Sequence, residues 1–586
     1  MFASDKIPAR GVAYRRLMIR KLALVLITLL VACHHEAQPT GSAYERARSA
    51  AANGKMRDAV KLFTEAAQSD PDPEHRAEAP VRLANIEWRV LGDVNAARTR
   101  LRKLDTSAAH AELARLGIET KEFASSRDEA KKALATAKKK KERRRATLLL
   151  AGATVADPAA TPESLRASVT TLRALIAEAG PVLEVARLLT RAALRAGDGA
   201  AALEGVDAYY HVSAYATAPQ LVAAGRATLA RLLPPWRGSD AERPAIAAAL
   251  AEVRFFDEAA LVQPRGAIAD YAAALRRIDA DATAYYRALS TDGAKEKTLR
   301  AIIDREKPAQ EFGKRYGIYV LLGTTGGYFD LHLGHRVIDR AMPVEQYGHK
   351  AAVNFVALDS MVSNGFSEWC NDGTSGDGGW GTAKEIVQVR PRYANGPLRE
   401  WELVADAEVR GEDERETAQE TERDRARAKE QPIQFFPGLA KRLRRQYLES
   451  VYRETRERDA FIARVEREHF TSSILLHEGR HAIDASEKRM GKVWTREYRA
   501  KLAEISLAPS PREALGSVVD NDIGGTGSHS EANGHLAEGL VQWMEQHRAE
   551  IHGLDATLPL FPQIDRLTDE QIRTAVRSLD ELATNG

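Results

Sequence analysis

The chain has 586 residues, 44% hydrophobic and 28% charged, with only two cysteines. That length gives room for more than one domain with a core of its own, so the fold does not depend on a disulfide framework. Lys and Arg number 85 against 82 Asp and Glu, a net charge of +3 that excludes whole-chain nucleic-acid affinity. An aromatic share of 6%, with long Ala-rich stretches, favours helices over an all-β sandwich.

Arg15, Arg16, Arg20 and Lys21 precede an apolar run over 22–32, the charged and hydrophobic parts of a secretory signal, with Met18 a compact alternative start. The run is too short to span a bilayer, which needs about 20 residues. It ends in Leu30-Val31-Ala32-Cys33, which resembles the lipobox of bacterial lipoproteins, where cleavage precedes a cysteine that takes the lipid. The resemblance implies a signal peptide over 1–32, lipidation at Cys33, a tether over 33–42 and residence in the cell envelope. Residue 34 is His rather than the Asp of inner-membrane retention, so the implied site is the outer membrane, at its periplasmic face or the surface. Cys370 is then left without an intramolecular partner.

Residues 43–310 read as helical. Ala47, Gly54, Ala59, Phe63, Ala66 and Pro71 fall at offsets that resemble the tetratricopeptide repeat, in which glycine turns one helix into the next and alanines let the pair approach closely. Gly92, Ala97, Leu101 and Leu104 repeat the pattern more loosely, as do Gly197, Ala202, Val206 and Tyr209. Such an array implies a surface for holding another polypeptide. Within it, residues 138–145, KKKKERRR, are the most basic stretch; lacking interleaved aromatics, they are expected to form a solvated helix face.

The composition changes near Arg315. Segments 316–323, 352–358 and 386–389 are rich in β-formers and predict three short strands, and the Asp-Gly-rich run 371–379 predicts a surface loop. Residues 412–430 are almost wholly charged, as expected of a solvated helix or linker.

The chemistry concentrates in Leu476-His477-Glu478-Gly479-Arg480-His481-Ala482, an HExxH motif. On a helix, His477 and His481 project from one face a turn apart, close enough to share a metal ion, and no proline interrupts 439–492. A catalytic zinc site needs a third protein ligand. Glu497, in the segment Glu497-Tyr498-Arg499-Ala500, resembles the second ligand helix of gluzincin metallopeptidases. Glu504 competes for the position, Asp484 could serve as ligand or as acceptor for a ligand imidazole, and His529, Glu531 and His535 lie in the glycine-rich stretch 524–539.

The resemblance implies a Zn2+ cofactor held by His477, His481 and Glu497, water activation with Glu478 as general base, and a protein or peptide substrate aligned along a strand within 316–358. The expected architecture is mainly α, with a TPR-like helical region over 43–310 and an α+β zincin-like domain over 311–586 that carries a small sheet and the HExxH helix. The expected function is a membrane-anchored zinc metallopeptidase without nucleic-acid partners. A non-catalytic envelope scaffold binding proteins through its repeats and a zinc amidase acting on cell-wall crosslinks are the alternatives.

Overall fold

The computed structural model describes residues 42–211, 318–519, 523 and 527–585, except 53–55, 90, 181, 326–327, 359–361, 364–378 and 382–384. The signal segment, Met18, Cys33, Gly54, Cys370, the loop over 371–378 and the 212–310 part of the expected repeat region lie outside the described residues.

The described chain is mainly helical, with a small mixed sheet. The first part runs through α1 (Ala43–Ala52), α2 (Met56–Ser69), α3 (Pro73–Arg89), α4 (Val94–Leu101), α5 (Ser107–Glu119), α6 (Phe123–Thr136), α7 (Lys140–Ala156), α8 (Pro162–Ala179), α9 (Leu183–Ala196) and α10 (Gly199–His211). Each helix packs on the next in sequence. Ala47, Ala59, Phe63 and Ala66 meet in one buried cluster with Tyr44 and Leu83, where small side chains permit close helix approach. Thr106 and Thr161 cap α5 and α8 by accepting the amides of Ala109 and Ser164. The helices range from 8 to 18 residues, so neighbouring hairpins differ in size.

The sheet comprises β1 (Ile318–Thr325), β2 (Tyr328–Gln346), β3 (His349–Leu358), β4 (Val362–Ser363), β5 (Gly379–Gly381) and β6 (Glu385–Val389), in the order β1-β2-β3-β6-β5, with β4 paired to β2. Among the described residues only β3 and β6 pair in parallel. The three anticipated strands coincide with β1, β3 and β6, whereas the 19-residue β2 went unanticipated. Its sequence mixes Asp330, His332, Arg336, Asp339 and Pro343 among the apolar residues and presents no clean alternation. The β2–β3 turn places Tyr347 and Gly348 at φ 50 and 82. The strain at the half-buried Tyr347 is offset by a 2.5 Å hydrogen bond between its hydroxyl and that of Ser506.

The second helical part comprises α11 (Arg390–Ala405), α12 (Ala407–Ala428), α13 (Pro437–Thr455), α14 (Arg458–His469), a π-helix (Phe470–Glu478), α15 (Gly479–Ser486), α16 (Val493–Leu507), α17 (Pro511–Val519), α18 (Ser528–Gln546), α19 (Asp569–Leu579) and α20 (Glu581–Asn585). The proline-free stretch over 439–492 is divided between helices at Arg456, which adopts φ 56 after α13. Leu439, Leu443, Leu502, Ile505, Leu515, Leu536, Leu540 and Phe561 form the core of this part.

Both charged runs lie on helices that stay largely open to solvent, and each also has a partner. The acidic helix α12 and the basic start of α7 face each other: Lys139 pairs with Glu416 at 3.1 Å, Lys140 with Asp406 at 2.5 Å, and Arg143 with Glu408 at 2.7 Å. Arg144 reaches Glu402 on α11 at 2.5 Å, and Arg427 and Arg423 of α12 reach back to Glu45 and Asp72. Charge runs that look solvated in isolation are here complementary, so each supplies the other's counter-ions. Among the described residues no helix is long and apolar enough to cross a membrane.

Candidate metal centre

The HExxH segment straddles the end of the π-helix and the start of α15. One face of the sheet lies on it: Val344, Val353, Phe355, Ala357 and Ile386 pack against Ile474, Ala482 and Ile483. Phe470 meets Phe355 edge-on at 5.4 Å. A π turn leaves helical backbone groups in irregular positions, and the buried Gln346 of β2 donates to the Leu476 carbonyl at 2.7 Å. Gly479 lets the helix approach β2 closely, since a Cβ there would lie 2.5 Å from Val344 Cγ1.

His477 is buried, and its ring stands 5.2 Å from that of His481 at an interplanar angle of 79°. Helix α16 brings Glu497 to both rings: Oε2 lies 3.4 Å from His477 Nε2 and 3.5 Å from His481 Nε2. All three donor atoms fall within 4.8 Å of one another. Ligands about 2.0–2.1 Å from a tetrahedral zinc would be separated by about 3.3–3.4 Å. The Glu497 spacings match that edge, and this buried oxygen accepts no hydrogen bond among the described residues. The donor set of two imidazoles and one carboxylate therefore fits a zinc ion.

Two turns further along α16, Glu504 is buried and accepts from His477 Nδ1 at 2.8 Å. Of the two glutamates considered for the third position, Glu497 faces the metal side of the imidazoles, and Glu504 lies behind His477, where it fixes the ring's tautomer and orientation. Both carboxylates favour the charged form of the His477 imidazole. Burial opposes charge on His477, but Glu497 and Glu504 outweigh it and hold its pKa up to about 10. Burial likewise opposes the Glu497 charge, yet the imidazoles of His477 and His481 keep that carboxyl well below the usual carboxylate range. The pocket thus favours positive charge at its centre.

Glu478 lies beside this centre, and burial raises its carboxyl pKa despite the neighbouring imidazoles. Strand β5 crosses directly over it: a Cβ on Gly381 would fall 2.3 Å from Glu478 Oε2, so any larger residue would push the carboxylate out of its present position. The strand that reaches Glu478 is therefore β5, which lies outside the segment 316–358 expected to supply the edge. The one sequence signal of β5 is the Gly379-Trp380-Gly381 pattern, an aromatic strand residue flanked by glycines and too short to predict a strand.

The other expected site residues are dispersed. Asp484 pairs with Arg480 at 3.2 Å and Arg499 at 2.9 Å, so a buried ion-pair network takes both its oxygens. Arg480, fully buried inside the motif, also makes a bidentate pair with Asp580 at 3.0 and 2.9 Å. His535 stacks on Trp494 at 4.4 Å, and Glu531 is exposed on α18. His529, at the start of α18, points its Nδ1 at Glu497 Oε2 from 3.4 Å. No protein-family model, curated protein or solved structure matches the chain.

Proposed function

We propose that the chain is a zinc-dependent metallohydrolase that cuts peptide bonds, anchored in the cell envelope through a lipid on Cys33. The observation that carries the reading is the convergence of His477, His481 and Glu497, with the Glu497 oxygen at tetrahedral edge spacing from both imidazoles, beside a half-buried Glu478. Zinc held by those three residues would supply Lewis-acid polarisation of the scissile carbonyl and of the attacking water.

The chain's own residues do the rest. Glu478 takes the proton of the attacking water and passes it to the leaving nitrogen, and its raised pKa suits it to both halves of that exchange. Glu504 holds His477 Nδ1, so that Nε2 faces the centre. Among the described residues β5 ends the sheet, and its open edge offers backbone groups that an extended substrate can pair with, beside Glu478. A purely structural metal site would have no need of Glu478 against Gly381, which weighs against the scaffold reading. The helical array over 43–211 supplies a surface on which a polypeptide substrate is held.

The test is metal analysis of the chain purified without chelators, followed by hydrolysis of a mixed peptide substrate. Near-stoichiometric zinc is expected, lost in His477→Ala and Glu497→Ala. Glu478→Gln should keep the zinc while hydrolysis falls by a factor of about 10² or more. Hydrolysis that survives in Glu478→Gln, or zinc that survives in both ligand variants, would overturn the assignment.

A further inference from the structure

Building on the metal reading above, we infer that the buried ion pairs of Asp580, Arg480, Asp484 and Arg499 set the spacing of the two ligand-bearing helices, with Arg499 and Asp580 as positioning residues for the zinc site. Arg480 and Asp484 belong to α15, which carries His481, and Arg499 follows Glu497 by two residues on α16. Arg480 donates to Asp484 at 3.2 Å and to the two oxygens of Asp580 at 3.0 and 2.9 Å. Arg499 donates from a single nitrogen, Nη1, to Asp484 and to the Arg489 carbonyl, each at 2.9 Å. The first of these bonds ties α16 to α15, and the second pins the connection between them.

The apolar packing leaves this spacing to the polar groups. Ala482 and Ile483 of α15 sink into the cluster under the sheet, with Val344, Phe355 and Ile386. Leu502 and Ile505 of α16 sink into the C-terminal core, with Leu515 and Leu536. The two helices thus take their apolar anchorage from different clusters, and the connection over 487–492 is exposed apart from the half-buried Arg489. A zinc ion tolerates little error in the gap between His481 and Glu497, because ligand distances hold within about 0.2 Å.

Burying these charges is a poor route to stability. Arg480, Asp484 and Asp580 are shielded from water almost completely, and a buried ion pair is often no more stabilising than apolar side chains of the same volume. What the network supplies is direction. Two charges of each sign balance, and the planar guanidinium of Arg480 meets Asp580 along two parallel bonds that fix its orientation. Asp580 is itself held, since it also accepts the amide of Leu582 at 3.1 Å where α19 turns into α20. Helix α19, which packs along α16, therefore reaches the motif through Asp580.

The test is the zinc affinity of the full chain, set by competition with a chelator at a temperature where circular dichroism shows every variant folded. Arg499, at 17% exposed, is the end of the network nearest water, so its replacement disturbs the interior least. Arg499→Gln should bind zinc about 10–100-fold more weakly, the range for groups behind a metal's ligands. Arg499→Lys keeps a cationic donor for Asp484 and the Arg489 carbonyl and should restore the affinity to near the wild-type value. Asp580→Asn, of the same shape without the charge, should weaken zinc binding as Arg499→Gln does. If Arg499→Gln does not fold, Arg499→Met, which keeps the apolar stem, takes its place with the same expected loss. Wild-type affinity in the Arg499 and Asp580 variants, alongside a lower unfolding midpoint, would overturn the inference and leave the His477, His481 and Glu497 site standing. Equal losses in Arg499→Gln and Arg499→Lys would overturn it too, because the bonds from position 499 would then not be what counts. A wild-type chain that takes up no zinc would overturn the metal reading itself.

Discussion

At the scale of single residues, the site depends on which atom of each side chain is committed elsewhere. His477 shows this most clearly: Glu504 occupies Nδ1, so only Nε2 is left for the centre. Glu504→Gln keeps the shape but removes the charge that makes the imidazole a better donor, so zinc affinity should fall by about 10–100-fold with little change in fold. Competition against a chromophoric chelator measures this, and an unchanged affinity would show that Glu504 only fills space. Much of the site was legible from the sequence, because HExxH has a fixed helical spacing and Glu497 follows it at the distance of one helix connection. The approach of His529 was not, because 52 residues separate it from His477 and nothing local in the chain encodes a contact made through tertiary packing. Asp484 shows the converse: its position after His481 suggested a partner for an imidazole, but the buried guanidinium of Arg480 has the stronger claim on it.

At the scale of elements, the motif depends on what packs behind it. Glu513 on α17 lies close to His469 at the end of α14 and accepts from Ser472 of the π-helix at 2.9 Å. Burial pushes its carboxyl up to about 7 from an ordinary 4.5. The folded chain therefore binds this proton more tightly than the unfolded chain does, and stability falls as pH rises from about 4.5 to 7, by about 3 kcal/mol for this group alone. Glu513→Gln removes the loss: the variant should match the wild type near pH 4.5 and be the more stable protein at pH 8. Denaturant unfolding at the two pH values checks this, and a gap of the same size at both would refute the account. Three strands were legible because β-branched and aromatic residues cluster in them. The π-helix and the long β2 were not, since a widened turn has no sequence period of its own and β2 alternates poorly.

At the scale of the whole molecule, the N-terminal helical array and the C-terminal part are joined by the charges of α7 against those of α11 and α12. Lys140 is the most enclosed basic member of the seam, with its side chain 17% exposed and bonds to Asp406 at 2.5 Å and Glu178 at 3.2 Å. Lys140→Ala and Asp406→Ala should each cost about 1–2 kcal/mol, and the double variant less than their sum, because the two substitutions remove one shared interaction. Strict additivity in thermal unfolding would show that the pair contributes nothing. The sequence contained both charge runs, yet composition cannot reveal that one is the partner of the other. Their separation also has a consequence in time. Lys140 precedes Asp406 by 266 residues, so at about 5–20 residues per second the ribosome needs about 13–50 s to make the second after the first. Through that interval the basic face of the nascent array keeps Glu178 of α8 but lacks its partners on α11 and α12, and the alanine-lined contacts among α5, α6 and α7, which draw on nothing downstream, help to hold its shape until the acidic helix is made.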